Sequence, residues 1–240
     1  MPTEASDSIE VCKACGFSGI GNYCNHCGQV YHIKRITFST LLHDIFHFFT
    51  HLDKGFGYTV KMLIIAPGHM QREYIEGERS KHQKPFSMFF ICATIAAVSR
   101  YWIYQALIKY YHSGNISEVN FFHEYMVIFQ TAFLPLHGLV VFLLFNKSGY
   151  NYAEIGVLVL YSISFFFLIA TLVALFKFFW PHLDTAYIEL PVLLIYNAIS
   201  FINFFHKQPP WIVALKSTIF ILGIFLLIQV TEDFIIQLIS

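Results

Sequence analysis

Apolar positions follow two regimes along this chain. Up to about residue 85 they are interleaved with polar residues, and beyond it they form long runs, each close to the length of a membrane-crossing helix. The runs predict five spans, 86–108, 121–145, 155–176, 187–206 and 212–231. Residues 155–176 carry no charge over 22 positions, enough for a helix to cross about 30 Å of hydrocarbon. Pro135 is expected to kink the second span, because proline removes a backbone donor. Glu189, Asn197 and Asn203 interrupt the fourth, for which a partly re-entrant path is the alternative.

Ahead of the spans, Leu41, Leu42, Ile45, Phe48, Phe49 and Leu52 recur at helical spacing, with His43, Asp44, His47, Thr50, His51 and Lys54 on the opposite face. This predicts an amphipathic helix capped near Thr37 or Ser39, too short and polar to span, lying along the membrane interface or docked on the bundle. His43, His47 and His51 stack at one-turn intervals, a candidate second metal site or pH-sensing face, against the plainer reading of a wet polar face. A second apolar patch, Met62 to Ala66, precedes a Pro67-Gly68 turn. Gln71 to Glu76 then suits a short helix ended by Gly77.

Composition agrees with a polytopic membrane protein: of 240 residues 56% are hydrophobic and 12% charged, and the mean hydropathy is +0.57. The formal net charge is zero, which argues against a nucleic-acid partner. Nine of 15 Lys/Arg and eight of 15 Asp/Glu fall in residues 1–85, so a polar headpiece precedes an apolar body. The first residues lack the basic start and apolar core of a signal peptide, and the headpiece is expected to stay in the cytoplasm. In a five-span arrangement Arg79, Lys81 and Lys84, then Lys147, then Lys207 and Lys216 share one side, which the positive-inside rule makes cytoplasmic. The C-terminus then lies in the periplasm.

The most specific signal is at the N-terminus. Cys12, Cys15, Cys24 and Cys27 form two C-x-x-C-Gly units eight residues apart, the spacing with which four thiolates close a tetrahedral Zn²⁺ shell. The expected cofactor is structural zinc, stapling a segment too short to own a core. A dithiol redox pair is the sharper alternative. His26 could replace a cysteine but is expected to face solvent. The chain thus divides into a flexible 1–11, a zinc ribbon 12–33, a cytoplasmic interfacial helical segment 34–85 and an all-α five-span domain 86–240.

Arg72 and Arg79 are candidate contacts for lipid phosphate, or else members of local ion pairs with Glu76 and Glu73. Within the spans ionisable groups are costly, so Arg100, His137 and Glu189 mark a candidate polar cluster, with Arg100 and Glu189 as a possible pair. No motif for catalysis is recognisable at productive spacing, and the chain is read as non-catalytic. Two function classes remain. One is an adaptor or accessory subunit, whose ribbon docks a protein partner or a second copy. The other is a transporter, channel or lipid-handling protein with a path past Arg100, His137 and Glu189.

One family resemblance rests on particular residues. Cys27-Gly28-Gln29 closes the ribbon; Arg35-Ile36-Thr37, Asp53-Lys54-Gly55-Phe56 with Thr59, Pro67-Gly68, Arg72 to Ile75 with Gly77 and Arg79, and Pro85-Phe86 follow. Over residues 12–90 this resembles an uncharacterised family of bacterial membrane proteins, typical of Bacteroidota, that joins a zinc ribbon to a multi-span region. The resemblance implies a bacterial inner-membrane location and carries no assigned activity.

Overall fold

The computed structural model describes residues 9–32, 35–37, 55–111, 131–180, 183 and 185–239. The predicted amphipathic helix, with His43, His47 and His51, lies outside these residues, as do residues 112–130. The described chain opens with a two-stranded antiparallel hairpin, β1 (Glu10–Val11) paired with β2 (Ser18–Gly19). The folded ribbon therefore begins inside the stretch 1–11 expected to be flexible, because the strand entering the first knuckle must pair with the strand leaving it.

Seven α-helices follow among the described residues: α1 (Phe56–Ile65), α2 (His69–Glu76), α3 (Pro85–Tyr111), α4 (Leu134–Leu144), α5 (Tyr152–Leu175), α6 (Ala186–Phe204) and α7 (Pro210–Ile239). Four stretches are long and apolar enough to cross a membrane: Pro85–Lys109, Tyr152–Phe178, Ala186–Phe204 and Pro210–Ile228. The expected second span, 121–145, is described only from residue 131, where α4 supplies eleven helical residues. Pro135 lies in the first turn of α4, just after a break at Phe133, where a missing backbone donor costs least. The fourth expected span is a continuous helix, α6, with Pro191 inside it. Its Asn197 is accommodated because the side chain donates to the Leu193 carbonyl within the same helix, at 2.9 Å.

The bundle is organised around α5. Of the most apolar stretch of this helix 72% is buried, against 22% for α6 and 28% for α7, so α5 is the axis and the last two helices are peripheral. An Asn151/Glu154 capping box starts it: Asn151 accepts from the Glu154 amide at 2.9 Å and Glu154 accepts from the Asn151 amide at 2.8 Å. At the same end, rings from three segments lock together. Phe145 stacks on Phe205 at 3.9 Å and meets Phe201 edge-on, while Tyr150 packs on Phe204 at 4.7 Å. Lys216 spans this layer, donating to the Leu144 carbonyl at 2.7 Å with its ammonium over the Phe145 ring.

Candidate metal centre and its seat on the bundle

The two C-x-x-C units fold into matching knuckles. In the first, the Cys12 amide donates to the Phe17 carbonyl and the Gly16 amide to the Cys12 carbonyl; in the second, Cys24 donates to Gln29 and Gly28 to Cys24. Both turns need a left-handed residue, and Gly16 and Gly28 supply it at φ 73° and 75°. The repeat brings all four sulfurs within 4.8 Å of one another, with Cys12 to Cys27 and Cys15 to Cys24 at 3.5 Å. A tetrahedron built on metal–sulfur bonds of about 2.3 Å has edges of roughly 3.8 Å, so the thiols are set to receive one ion. His26 does not join them; exposed, it stacks on Phe17 at 5.8 Å.

Electrostatics favour a cation here. Burial opposes the Cys24 thiolate, yet the backbone N–H groups of Cys27 and His26 and the thiol of Cys15 outweigh it and bring its pKa down to about 6. Cys15 goes the other way, to about 12: the Phe17 amide lowers it, but burial and the three neighbouring sulfurs prevail. Four thiolates cannot coexist in this space without a positive ion between them. Around the sulfurs the apolar cluster of the ribbon comprises Ala14 and Tyr31 beside Cys12 and Cys24, with Gln29 the buried polar residue among those described.

The ribbon is fastened to the bundle at several points. Arg35 forms a fork on Glu154, with Nε to Oε1 at 2.7 Å and Nη2 to Oε2 at 2.9 Å, and donates to the Gly149 carbonyl. The Glu154 side chain is only 4% exposed, so the α5 capping box and the headpiece share one buried carboxylate. Asn151 donates to the Ile36 carbonyl at 3.0 Å, and the Ser80 amide to Gln29 Oε1 at 2.8 Å. Near a span end Glu154 looks from sequence to need no special role, yet Asn-x-x-Glu ahead of an apolar run is the local signal of the capping box it forms.

Arg72 is drawn inward. Its Nη1 donates to the Asn203 carbonyl at 2.9 Å and meets His206 Nδ1 at 2.7 Å, its Nη2 meets His69 Nδ1 at 3.0 Å, and Glu76 lies 3.9 Å from Nε. Both terminal nitrogens are engaged within the protein, tying α2 to the end of α6. Arg79 donates to the Tyr74 carbonyl at 3.2 Å and lies over the Tyr74 ring. In the spans, Arg100 Nη2 lies 3.4 Å from Glu189 Oε1, the two side chains 3% and 13% exposed. His137 sits elsewhere, facing the Phe133 carbonyl at 2.8 Å and the edge of Phe220.

The architecture is that of a membrane-type helical bundle with a four-cysteine ribbon on one end. A family described as a protein of unknown function (DUF3667) matches residues 53–97, the stretch that carries α1, α2 and the first half of α3. No curated protein and no solved structure matches the chain.

Proposed function

We propose that the protein is a non-catalytic adaptor of the bacterial inner membrane, whose zinc-bound ribbon holds a cytoplasmic protein partner against the lipid surface. One observation carries this reading: the ribbon is pinned to the bundle through Arg35 and Asn151, yet it leaves Val11, Ile20 and Tyr23 at 66%, 56% and 63% exposure. A purely structural staple has no need to present large apolar side chains on a rigid mount. Val11 belongs to the short two-stranded hairpin and Ile20 follows it directly, so a partner would meet the hairpin and its flank. The basic residues Lys147 and Lys207 lie by the ribbon end, which supports a cytoplasmic N-terminus and a periplasmic C-terminus by the positive-inside rule.

A photo-reactive residue at Tyr23 in living cells tests the reading. A discrete protein adduct is expected, lost both when Cys12 and Cys15 become Ser and when Val11 and Ile20 become Ser with the metal retained. An adduct indifferent to all four changes removes the adaptor role.

Transport or lipid handling is favoured by one observation of its own, the buried Arg100 and Glu189 pair between α3 and α6. Replacing both with Met would abolish a transport function and leave partner capture intact.

A further inference from the structure

The stretch matched by the family model meets the spans at a seat whose centre is polar and buried. Helices α1 and α2 form a hairpin around the Pro67-Gly68 turn, and the turn lies on α6. Asn203 donates to the Pro67 carbonyl at 2.8 Å, and Gly68, at φ 82°, abuts the Ser200 carbonyl so closely that any Cβ would overlap it. One turn along α2, Arg72 reaches Asn203 and His206. In sequence between Gly68 and Arg72 stands Gln71, which is fully buried. Its Oε1 accepts from the Gly68 amide at 2.6 Å, which fixes the side-chain amide with Nε2 directed away from the turn, so the group it offers the bundle is a donor.

That donor has two polar neighbours on α6. The Tyr196 hydroxyl lies beside the side chains of Gln71 and Ser200, its ring held by stacking on Phe165 of α5 at 4.3 Å. Ser200 follows Tyr196 by one turn and has no exposed surface. Gln71 Nε2, Tyr196 OH and Ser200 Oγ are all buried, and none is hydrogen-bonded to a protein atom. A hydroxyl in an apolar helix has a local remedy, which Ser164, Thr171 and Thr218 take by donating to the carbonyl four residues back. Ser200 does not take it. Ser162 and Ser217 share that trait, and Ser200 has Tyr196 and Gln71 beside it in addition. Three buried polar groups from two elements thus converge without bonding one another, and each carries a desolvation cost that a shared partner would offset.

Their chemistry narrows that partner. A metal ion would face the amide protons of Gln71 Nε2. Arg72, the next cation along α2, has both terminal nitrogens engaged by Asn203, His206 and His69, so it is not available to hold an anion. The three groups suit a neutral ligand that accepts from Gln71 and Tyr196 and donates to Ser200. Their closeness limits its size to about one water, which in a buried site typically makes about three hydrogen bonds.

We propose that Gln71, Tyr196 and Ser200 form a buried binding site for one water molecule, which joins α2 to α6 beneath the Pro67-Gly68 turn. The inference is independent of the adaptor role. Hydrogen exchange of the α2 amides, measured on the full chain in phospholipid nanodiscs, tests it by sign. Where water bridges the groups, Tyr196→Phe and Ser200→Ala each remove one of its partners and should speed α2 exchange about fivefold. The double variant should fall short of the product of the two, because both act through the same molecule. Unchanged or slower exchange in Tyr196→Phe overturns the site, since a hydroxyl that meets nothing is better removed. Ser200→Ala decides by the same criterion where Tyr196→Phe does not fold. A structure that resolves ordered water should show one peak at hydrogen-bonding distance from Gln71 Nε2, Tyr196 OH and Ser200 Oγ. A direct bond between Tyr196 and Gln71 with no such peak overturns the proposal, and so does density larger than a single oxygen.

Discussion

The ribbon and the bundle meet across Arg35 and Glu154, yet their folds rest on different forces. The ribbon's buried apolar cluster amounts to Cys12, Ala14, Cys24 and Tyr31, too small to serve as a core by itself, and its four thiols could take up an ion. The bundle closes over large rings and aliphatic side chains, among them Phe145, Phe167, Phe201 and Phe204, all under 2% exposed. A part that small is expected to depend on a metal, and a part that size is not. The Arg35–Glu154 contact joins the two.

Removing the ion breaks this comparison most directly. A structural Zn²⁺ supplies on the order of 10–16 kcal/mol in peptides of this kind, more than the ribbon's core can replace. With Cys12 and Cys15 changed to Ser, or after chelation, the amides of Cys12, Gly16, Cys24 and Gly28 should lose hydrogen-exchange protection while the helical circular dichroism is retained. Persistent protection of those amides without metal would show that the ribbon has a core of its own. Elemental analysis of protein purified under reducing conditions checks that the ion is zinc.

The converse change is Phe145→Ala. This ring is 1% exposed and sandwiched between Phe205 and Phe201, so its loss leaves a cavity worth about 3–5 kcal/mol. Unfolding in mixed micelles should register that loss, with metal content unchanged. A coupled fall in bound metal would mean that the aromatic layer also supports the ribbon.

How much of this was legible differs between the two regions for a physical reason. The four cysteines announce themselves because ligand spacing is a local property of the chain, and the spans do so because hydropathy is additive along it. Arg100 and Glu189 stand out as charges in apolar runs. The joint is different in kind: Arg35 and Glu154 are 119 residues apart, and only the register of packed helices brings them together. The same holds for the seat of the α1–α2 hairpin, where Gly68 meets Ser200 and Pro67 meets Asn203. A Pro-Gly pair predicts a turn without saying what the turn rests on.

Gly68→Ala sharpens the comparison at that seat. The residue combines a positive φ with contact against the Ser200 carbonyl, so a methyl group is strained twice, at a combined cost of about 2–3 kcal/mol. The expected result is faster hydrogen exchange in α1 and α2, a lower unfolding midpoint and an intact metal site. An unchanged midpoint would mean that the α1–α2 hairpin can leave α6 freely.

The smallest effect is an acid response of the bundle that owes nothing to the metal. His82 is buried between the Tyr58 and Tyr74 rings with no hydrogen bond to Nδ1, and burial, with a further push from Lys81, lowers its pKa from 6.5 to about 4. Its folded form therefore binds a proton less readily than its unfolded form. The stabilisation is complete above pH 6.5 and drains away as pH falls toward about 4, below which the slope ends. Solvent screening near the surface reduces this to the order of 1–2 kcal/mol. Acid also attacks the ribbon thiolates, so the measurement belongs in the Cys12→Ser, Cys15→Ser background, where the ribbon no longer contributes. There, His82→Gln should flatten the fall in stability between pH 6.5 and 4 relative to the same protein with His82 present. An equal fall in both would assign the acid response to other groups of the bundle.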